Sequence, residues 1–200
     1  AQTGGPKAGH YHDPEVLALA EVVEAEGRAK GLKGKPLRNY MRDRGAGPAV
    51  ECYDVPDDAY KDGAVANRGV EQLDQLKDSE QPFFLAVGFL KPHLPFVAPK
   101  KYWDLYDRAS LPLAPFQHAP NGAPGCAIAD YVEARTYGGV PAEGTISGTT
   151  QRELIHGYLA CVSYVDAQIG KLIAKLKETG QYEDTVIVLW GDHGFHLGDK

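Results

Sequence analysis

TVIVLWGDHG, residues 185–194, decides how this chain is read. Residues 185–190 are all β-branched or large and apolar. The run is too short for a typical helix, and it predicts a strand buried on both faces. It leads straight into Gly191-Asp192-His193-Gly194, a polar turn of the kind that follows a strand. A second run of the same character, FFLAVGF at residues 83–89, stands about a hundred residues upstream, after Gln81-Pro82. Two such strands joined by a long crossover predict a parallel sheet covered by helices, an α/β fold.

The crossover supplies its own helix. Thr150-Gln151-Arg152-Glu153 reads as a capping box, and Ile155, Leu159, Val162, Val165, Ile169, Leu172 and Leu176 keep a helical stripe until Gly180 closes it. This helix is expected to pack on the sheet formed by 83–89 and 185–190. Nearer the start, Asp13-Pro14 predicts an N-cap with proline at the first helical position. Val16, Leu17, Ala20 and Val23 continue that helix to about Gly27. Another helix is predicted from about Asp62 to Lys77, with Val65, Val70, Leu73 and Leu76 inward. Between them, residues 30–44 carry Lys30, Lys33, Lys35, Arg38, Arg42 and Arg44 without an apolar period, and read as an exposed basic loop. Eight prolines between 90 and 148 exclude long helices and interior strands there, apart from a short turn at 100–106. Long Pro- and Gly-rich connections of this kind often carry sites.

Composition narrows the class. The chain has 200 residues, 43% hydrophobic and 24% charged, which is ordinary globular composition. No stretch of about 18 apolar residues occurs, so no membrane span is predicted. The net charge of −6 is opposite in sign to that of a nucleic-acid binder. Cys52, Cys126 and Cys161 are an odd number at wide spacing, so they cannot all pair within the chain and they lack the spacing of a zinc cluster. No secretory signal is visible in the first residues.

In open α/β sheets ligands gather where the carboxyl ends of strands release their loops. The first strand leads into Lys91-Pro92-His93-Leu94-Pro95 and the second into Asp192-His193. Asp192 and His193 form either a pair of cation ligands, brought together by the flanking glycines, or a capped turn with a solvated histidine. Lys91 and His93 form either an anion clamp with a proton donor or a proline-stiffened loop. His10, His12, His118, His156 and His196 have less context, and Tyr102, Trp103 and Tyr106 read as core packing.

Three segments then agree. PFFLAVGFLKPHLPFVAPKKYWDLY from Pro82, YLACVSYVDAQIGKLIAKL from Tyr158 and VIVLWGDHGFHLGDK from Val186 resemble the sulfatase family of the alkaline-phosphatase-like superfamily, nearest the iduronate-2-sulfatase-like branch. The resemblance covers roughly residue 52 onward. It implies a mostly parallel sheet with helices on both sides, and reads residues 1–200 as one incomplete sulfatase catalytic domain, an internal fragment. It also implies hydrolysis of a sulfate ester, on a sulfated sugar or glycan, by a formylglycine nucleophile with a calcium ion. By position, Asp192 and His193 match calcium ligands and His93 matches the histidine that contacts sulfate and protonates the leaving alcohol. Lys91 matches as a substrate-side residue. A periplasmic, secreted or lysosomal setting goes with the family.

None of the three cysteines is followed by the Cys/Ser-x-Pro/Ala-x-Arg pattern from which formylglycine is made, so the nucleophile is expected outside this chain. Two other readings stay open. Calcium prefers oxygen ligands and imidazole suits zinc or manganese, which allows a metal-dependent phosphohydrolase of the same superfamily. A non-catalytic module that binds a sulfated glycan or a protein partner through residues 30–44 is the third.

Overall fold

A computed structural model describes residues 11–124 and 133–198; His10 and Cys126 lie outside that range. The architecture is α/β, a small parallel sheet flanked by helices. Helix α1, Pro14–Ala29, begins as expected: the Asp13 side chain accepts from the Glu15 N–H at 2.8 Å and Pro14 occupies the first turn. Helix α3 runs Lys61–Leu76 and helix α5 runs Gly148–Glu178. The cap of α5 is Ser147, which accepts from the Thr150 N–H, so the helix starts a few residues before the predicted capping box. Gly180, at φ 74°, closes it, and the Gln181 N–H donates to the Leu176 carbonyl.

The sheet consists of β1, Val50–Tyr53, paired in parallel with β2, Phe96–Pro99, in the register Val50↔Phe96 to Tyr53↔Pro99. Helix α3 forms the crossover between them. Neither strand was expected, and β2 lies inside the proline-rich excursion. The four residues Phe96–Pro99 suffice, because Phe96 still donates to the Ala49 carbonyl and the ladder stops where Pro99 has no N–H. Helix α4, Lys100–Trp103, follows at the predicted turn.

The two expected strands require correction. Residues 83–89 and 185–190 belong to no ladder among the described residues. Along 83–89 exposure nonetheless alternates with period two. Phe83, Leu85, Val87 and Phe89 are half-buried, whereas Phe84, Ala86 and Gly88 are exposed. Val87 lies against Gly69 of α3, where Leu172 of α5 also meets, so one face is covered by helices; Phe84, on the other, is 93% exposed. Residues 186–190 are exposed throughout. A strand buried on both faces needs neighbours that the described residues do not provide.

The basic loop also requires correction, since residues Gly34–Arg42 form a helix, α2. Two side chains hold it: Leu37, buried, seats against Gly27 of α1, where even a Cβ would lie 2.4 Å from Leu37 Cδ1, and the Tyr40 ring lies 3.2 Å from the same point. Lys30, Lys33, Lys35, Arg38 and Arg44 are exposed, as the sequence predicts.

The core lies between α5 and the strand pair. Phe96, Val97, Ala98 and Trp103 meet Ala160, Cys161 and Tyr164 there. Gly157 is the closest approach: a Cβ added to it would lie 2.9 Å from both Phe96 Cβ and Trp103 Cη2. Beside it, His156 accepts from Arg108 Nε through Nδ1 and donates through Nε2 to the Trp103 carbonyl, which makes it a structural histidine. At the other end of the contact, the Asp57 carboxylate takes Lys101 at 2.7 Å, Lys171 at 3.0 Å and Gln168 at 3.1 Å. The Tyr164 hydroxyl donates to the Asp57 carbonyl and accepts from the Gly63 N–H, joining α5 to the start of α3.

Two outcomes follow from this packing. Gly157→Ala gains helix propensity of about 1 kcal/mol, yet overpacking at a backbone-tight contact costs about 1–3 kcal/mol. Urea unfolding should therefore show a net loss of stability, and a stabilised variant would contradict the contact. Burial alone would raise the pKa of Asp57, but hydrogen bonds from Lys101, Lys171 and Gln168 outweigh it and hold the group at about 2, below its ordinary 3.8. Its contribution is present above pH 3.8 and is lost as pH falls toward 2. Unfolding free energy measured against pH should drop through that window in the wild type and more shallowly in Asp57→Asn.

Candidate active site

His93 stands in the loop between residues 83–89 and β2. The two X–Pro bonds around it, Lys91-Pro92 and Leu94-Pro95, are cis. The His93 N–H donates to the Leu90 carbonyl at 3.0 Å, and the ring hydrogen-bonds through Nδ1 to the Leu94 carbonyl at 2.7 Å. A carbonyl only accepts, so Nδ1 carries the hydrogen. The other nitrogen, Nε2, points to Glu133 Oε1 at 3.3 Å. The ring is 44% exposed, open to a ligand while anchored from behind.

Lys91 is placed differently from His93. It is 8% exposed, and its ammonium donates to the His93 carbonyl at 3.0 Å and to the Pro95 carbonyl. Its own N–H donates to Asp62 Oδ2 at 2.8 Å, and the neighbouring Leu90 N–H donates to Asp62 Oδ1 at 3.0 Å. Burial pushes the Lys91 ammonium to a lower pKa, against the pull of Cys161 and Asp62.

The Asp192-His193 turn reaches the same place through an aromatic ring. Phe195 packs edge-on against Phe96 of β2 at 5.6 Å and Tyr158 of α5 at 6.2 Å between ring centres. On that anchored ring lie both His93, at 6.2 Å, and His193, at 6.3 Å. The two loops picked out in the sequence are thus brought together, and Phe195, Tyr158 and Glu133 are the participants that sequence reading missed. The clue to Phe195 was its position two residues after His193, as the one large apolar side chain of residues 191–196.

The Asp192 side chain is fully exposed, and its Oδ2 lies 3.8 Å from His193 Nε2. His193 hydrogen-bonds through Nδ1 to the Gly194 carbonyl at 3.1 Å, which leaves the Nε2 lone pair for a ligand. One carboxylate and one imidazole nitrogen so disposed fit part of a cation's ligand set. No group of three or more metal-ligating side chains occurs among the described residues, so further ligands would have to complete it.

Neither of the two described cysteines, Cys52 and Cys161, has a thiol lowered toward the nucleophilic thiolate. Cys161 is fully buried against the Val97 carbonyl, and burial pushes its thiol up to about 12. Cys52 is also raised, chiefly by burial. No helix among the described residues is long and apolar enough to cross a membrane.

Residues 21–200 match the Sulfatase family. The chain is similar to iduronate 2-sulfatase of Mus musculus, 35% identical over 192 residues, which cover 93% of this chain and 34% of the relative. It resembles iduronate 2-sulfatase of Homo sapiens at 35% over 156 residues, 75% of this chain and 28% of the relative. A sulfatase of Formosa agariphila is 36% identical over 182 residues, 90% of this chain and 33% of the relative. The chain spans about a third of the length of these relatives. With nine-tenths of its length matched, the chain belongs to the sulfatase family.

Proposed function

We propose that this chain is one part of a longer catalytic domain that hydrolyses a sulfate ester, with a sulfated sugar or glycan as the alcohol component. The observation that carries the reading is the sharing of Phe195 by His93 and His193, the first read as a proton donor and the second as a cation ligand. The names of the iduronate 2-sulfatases support a sugar as substrate. The exposed apolar side chains of Phe84, Val186, Val188 and Trp190 support a larger domain, in which they would be packed.

In this account a formylglycine supplied by sequence outside these residues is the nucleophile, and a bound calcium ion would supply positive charge to the sulfate oxygens. Asp192 and His193 would be two of the residues that hold it. The remaining work falls to this chain's loop at 90–95. Cleavage of the ester's S–O bond leaves electrons on a sugar oxygen, and an aliphatic alkoxide is a poor leaving group unless it is protonated. His93 holds its Nδ1–H on the Leu94 carbonyl and therefore exchanges protons at Nε2, the nitrogen that faces outward toward Glu133. With substrate bound, Nε2–H donates to the leaving oxygen; after the alcohol departs, the same nitrogen accepts a proton from water. Lys91 enters the substrate side through the loop that bears this histidine.

The two halves of the site predict different failures in the intact enzyme. Asp192→Ala should abolish turnover of a sulfate ester and lower the bound metal, because the carboxylate neutralises the ion directly. His93→Ala should retain metal and lower kcat by about 10²- to 10⁴-fold, the usual worth of a general acid. Metal analysis beside steady-state kinetics separates them. Full activity in Asp192→Ala would remove the assignment.

A further inference from the structure

We propose that Lys91 is a positioning residue, whose ammonium acts with the Asp62 carboxylate to brace residues 90–95 and hold the His93 ring toward the leaving-group oxygen. The inference rests on the reading of His93 given above and assigns Lys91 a part that requires no contact with sulfate.

The brace has two arms. Asp62, 3% exposed in the first turn of α3, takes the N–H groups of Leu90 and Lys91, one on each carboxylate oxygen. Lys91 then folds its side chain back over the loop and donates to the main-chain oxygens of His93 and Pro95. Three non-proline residues of the loop have their backbone bound by one acid and one base. Proline at 92 and 95 removes two backbone donors from the segment, so carbonyls there must find partners other than a regular ladder. An ammonium suits that task because it offers three donors to acceptors lying in different directions.

The surroundings of Lys91 oppose direct binding of the substrate. A sulfate group would need the ammonium at the open face of the histidine, but the side chain is nearly buried and turned to the backbone behind it. The cavity beside it, lined by Tyr60, Asp62, Lys91, Val97 and Tyr164, has a volume of about 10 Å³. That is room for roughly one water molecule and far too little for sulfate. The anchor of the brace is itself fixed, since the Gly63 N–H next to Asp62 donates to Tyr164 of α5 at 2.6 Å.

A brace on a general acid leaves a signature that a loss of stability does not. Removing it should slow the step in which the leaving group takes its proton, so the loss must grow as the leaving group becomes more basic. The test is steady-state kinetics of the intact sulfatase and its Lys91→Met, Asp62→Asn and His93→Ala variants on a sugar sulfate and on 4-nitrophenyl sulfate. Lys91→Met should lower kcat on the sugar sulfate by about 10- to 100-fold, the scale expected for a small misplacement of a reacting group. It should lower kcat on the nitrophenyl ester by less than about threefold, with KM within about twofold on both, since protonation matters little there. Asp62→Asn, which keeps one acceptor oxygen, should show the same split more weakly, and it reads the brace if Lys91→Met does not fold.

A raised KM with kcat intact would mean that Lys91 binds sulfate directly and would overturn the proposal. Equal losses of kcat on the two esters would reduce Lys91 to a structural residue, and unchanged kinetics would also overturn it. The His93→Ala variant tells the two levels apart. If it shows the leaving-group split and the brace variants do not, only the brace fails. If it shows none, the role of His93 fails, and the catalytic part of the brace with it.

Discussion

The close approach of α5 to the strand pair at Gly157 is the contact on which the rest of this structure depends. Because no side chain intervenes, Phe96 and Trp103 lie directly against the helix backbone. That closeness brings Tyr158, one residue along, to 5.7 Å from the Phe96 ring. Phe195 rests on this pair, and His93 and His193 rest on Phe195. The route from a missing Cβ to a candidate active site is therefore a continuous series of packed rings. It joins segments a hundred residues apart without a single hydrogen bond between their side chains being required. Ring-on-ring contacts fix distance and tilt, and they leave the polar edges of the histidines available for chemistry.

Polar groups secure what the rings bring together, and they do so from opposite directions. Asp57 draws α4 and α5 to one junction through Lys101, Tyr102, Gln168 and Lys171. Asp62, five residues on, turns the other way and holds the backbone of the histidine loop. Two acids on one turn of chain thus serve the core and the site separately. The contrast with Asp192 is chemical as well as positional. Asp57 and Asp62 spend their oxygens on protein donors, whereas Asp192 lies open to solvent with His193 beside it. An acid left so exposed at the end of an apolar run contributes little to stability and suits a ligand role.

Much of this was legible in the sequence, and what was not has identifiable causes. Helices α1, α3 and α5 declared themselves through 3.6-residue periodicity, which depends only on neighbours along the chain. Helix α2 did not, because its single buried Leu37 is outnumbered by lysines and arginines on its outer face. The strands β1 and β2 are four residues each, too short for alternation to register, and prolines bracket one of them. The runs 83–89 and 185–190 read as doubly buried strands, yet the first has only one covered face and the second is exposed among the described residues. At the site, His93 and Asp192-His193 were visible as polar residues following apolar runs. Phe195, Glu133 and the inward turn of Lys91 were not, because each depends on contacts or side-chain directions set by tertiary packing.

The central claim is that His93 and Asp192-His193 form one sulfate-ester site, and crystallography of the intact enzyme grown with calcium and inorganic sulfate tests it most directly. The account predicts a calcium ion about 2.3–2.6 Å from an Asp192 oxygen, with His193 among its neighbours. It also predicts that sulfate bound at that ion lies within hydrogen-bond reach of His93 Nε2. A calcium ion held elsewhere, or sulfate seated away from His93 while Asp192 stays free, would contradict it.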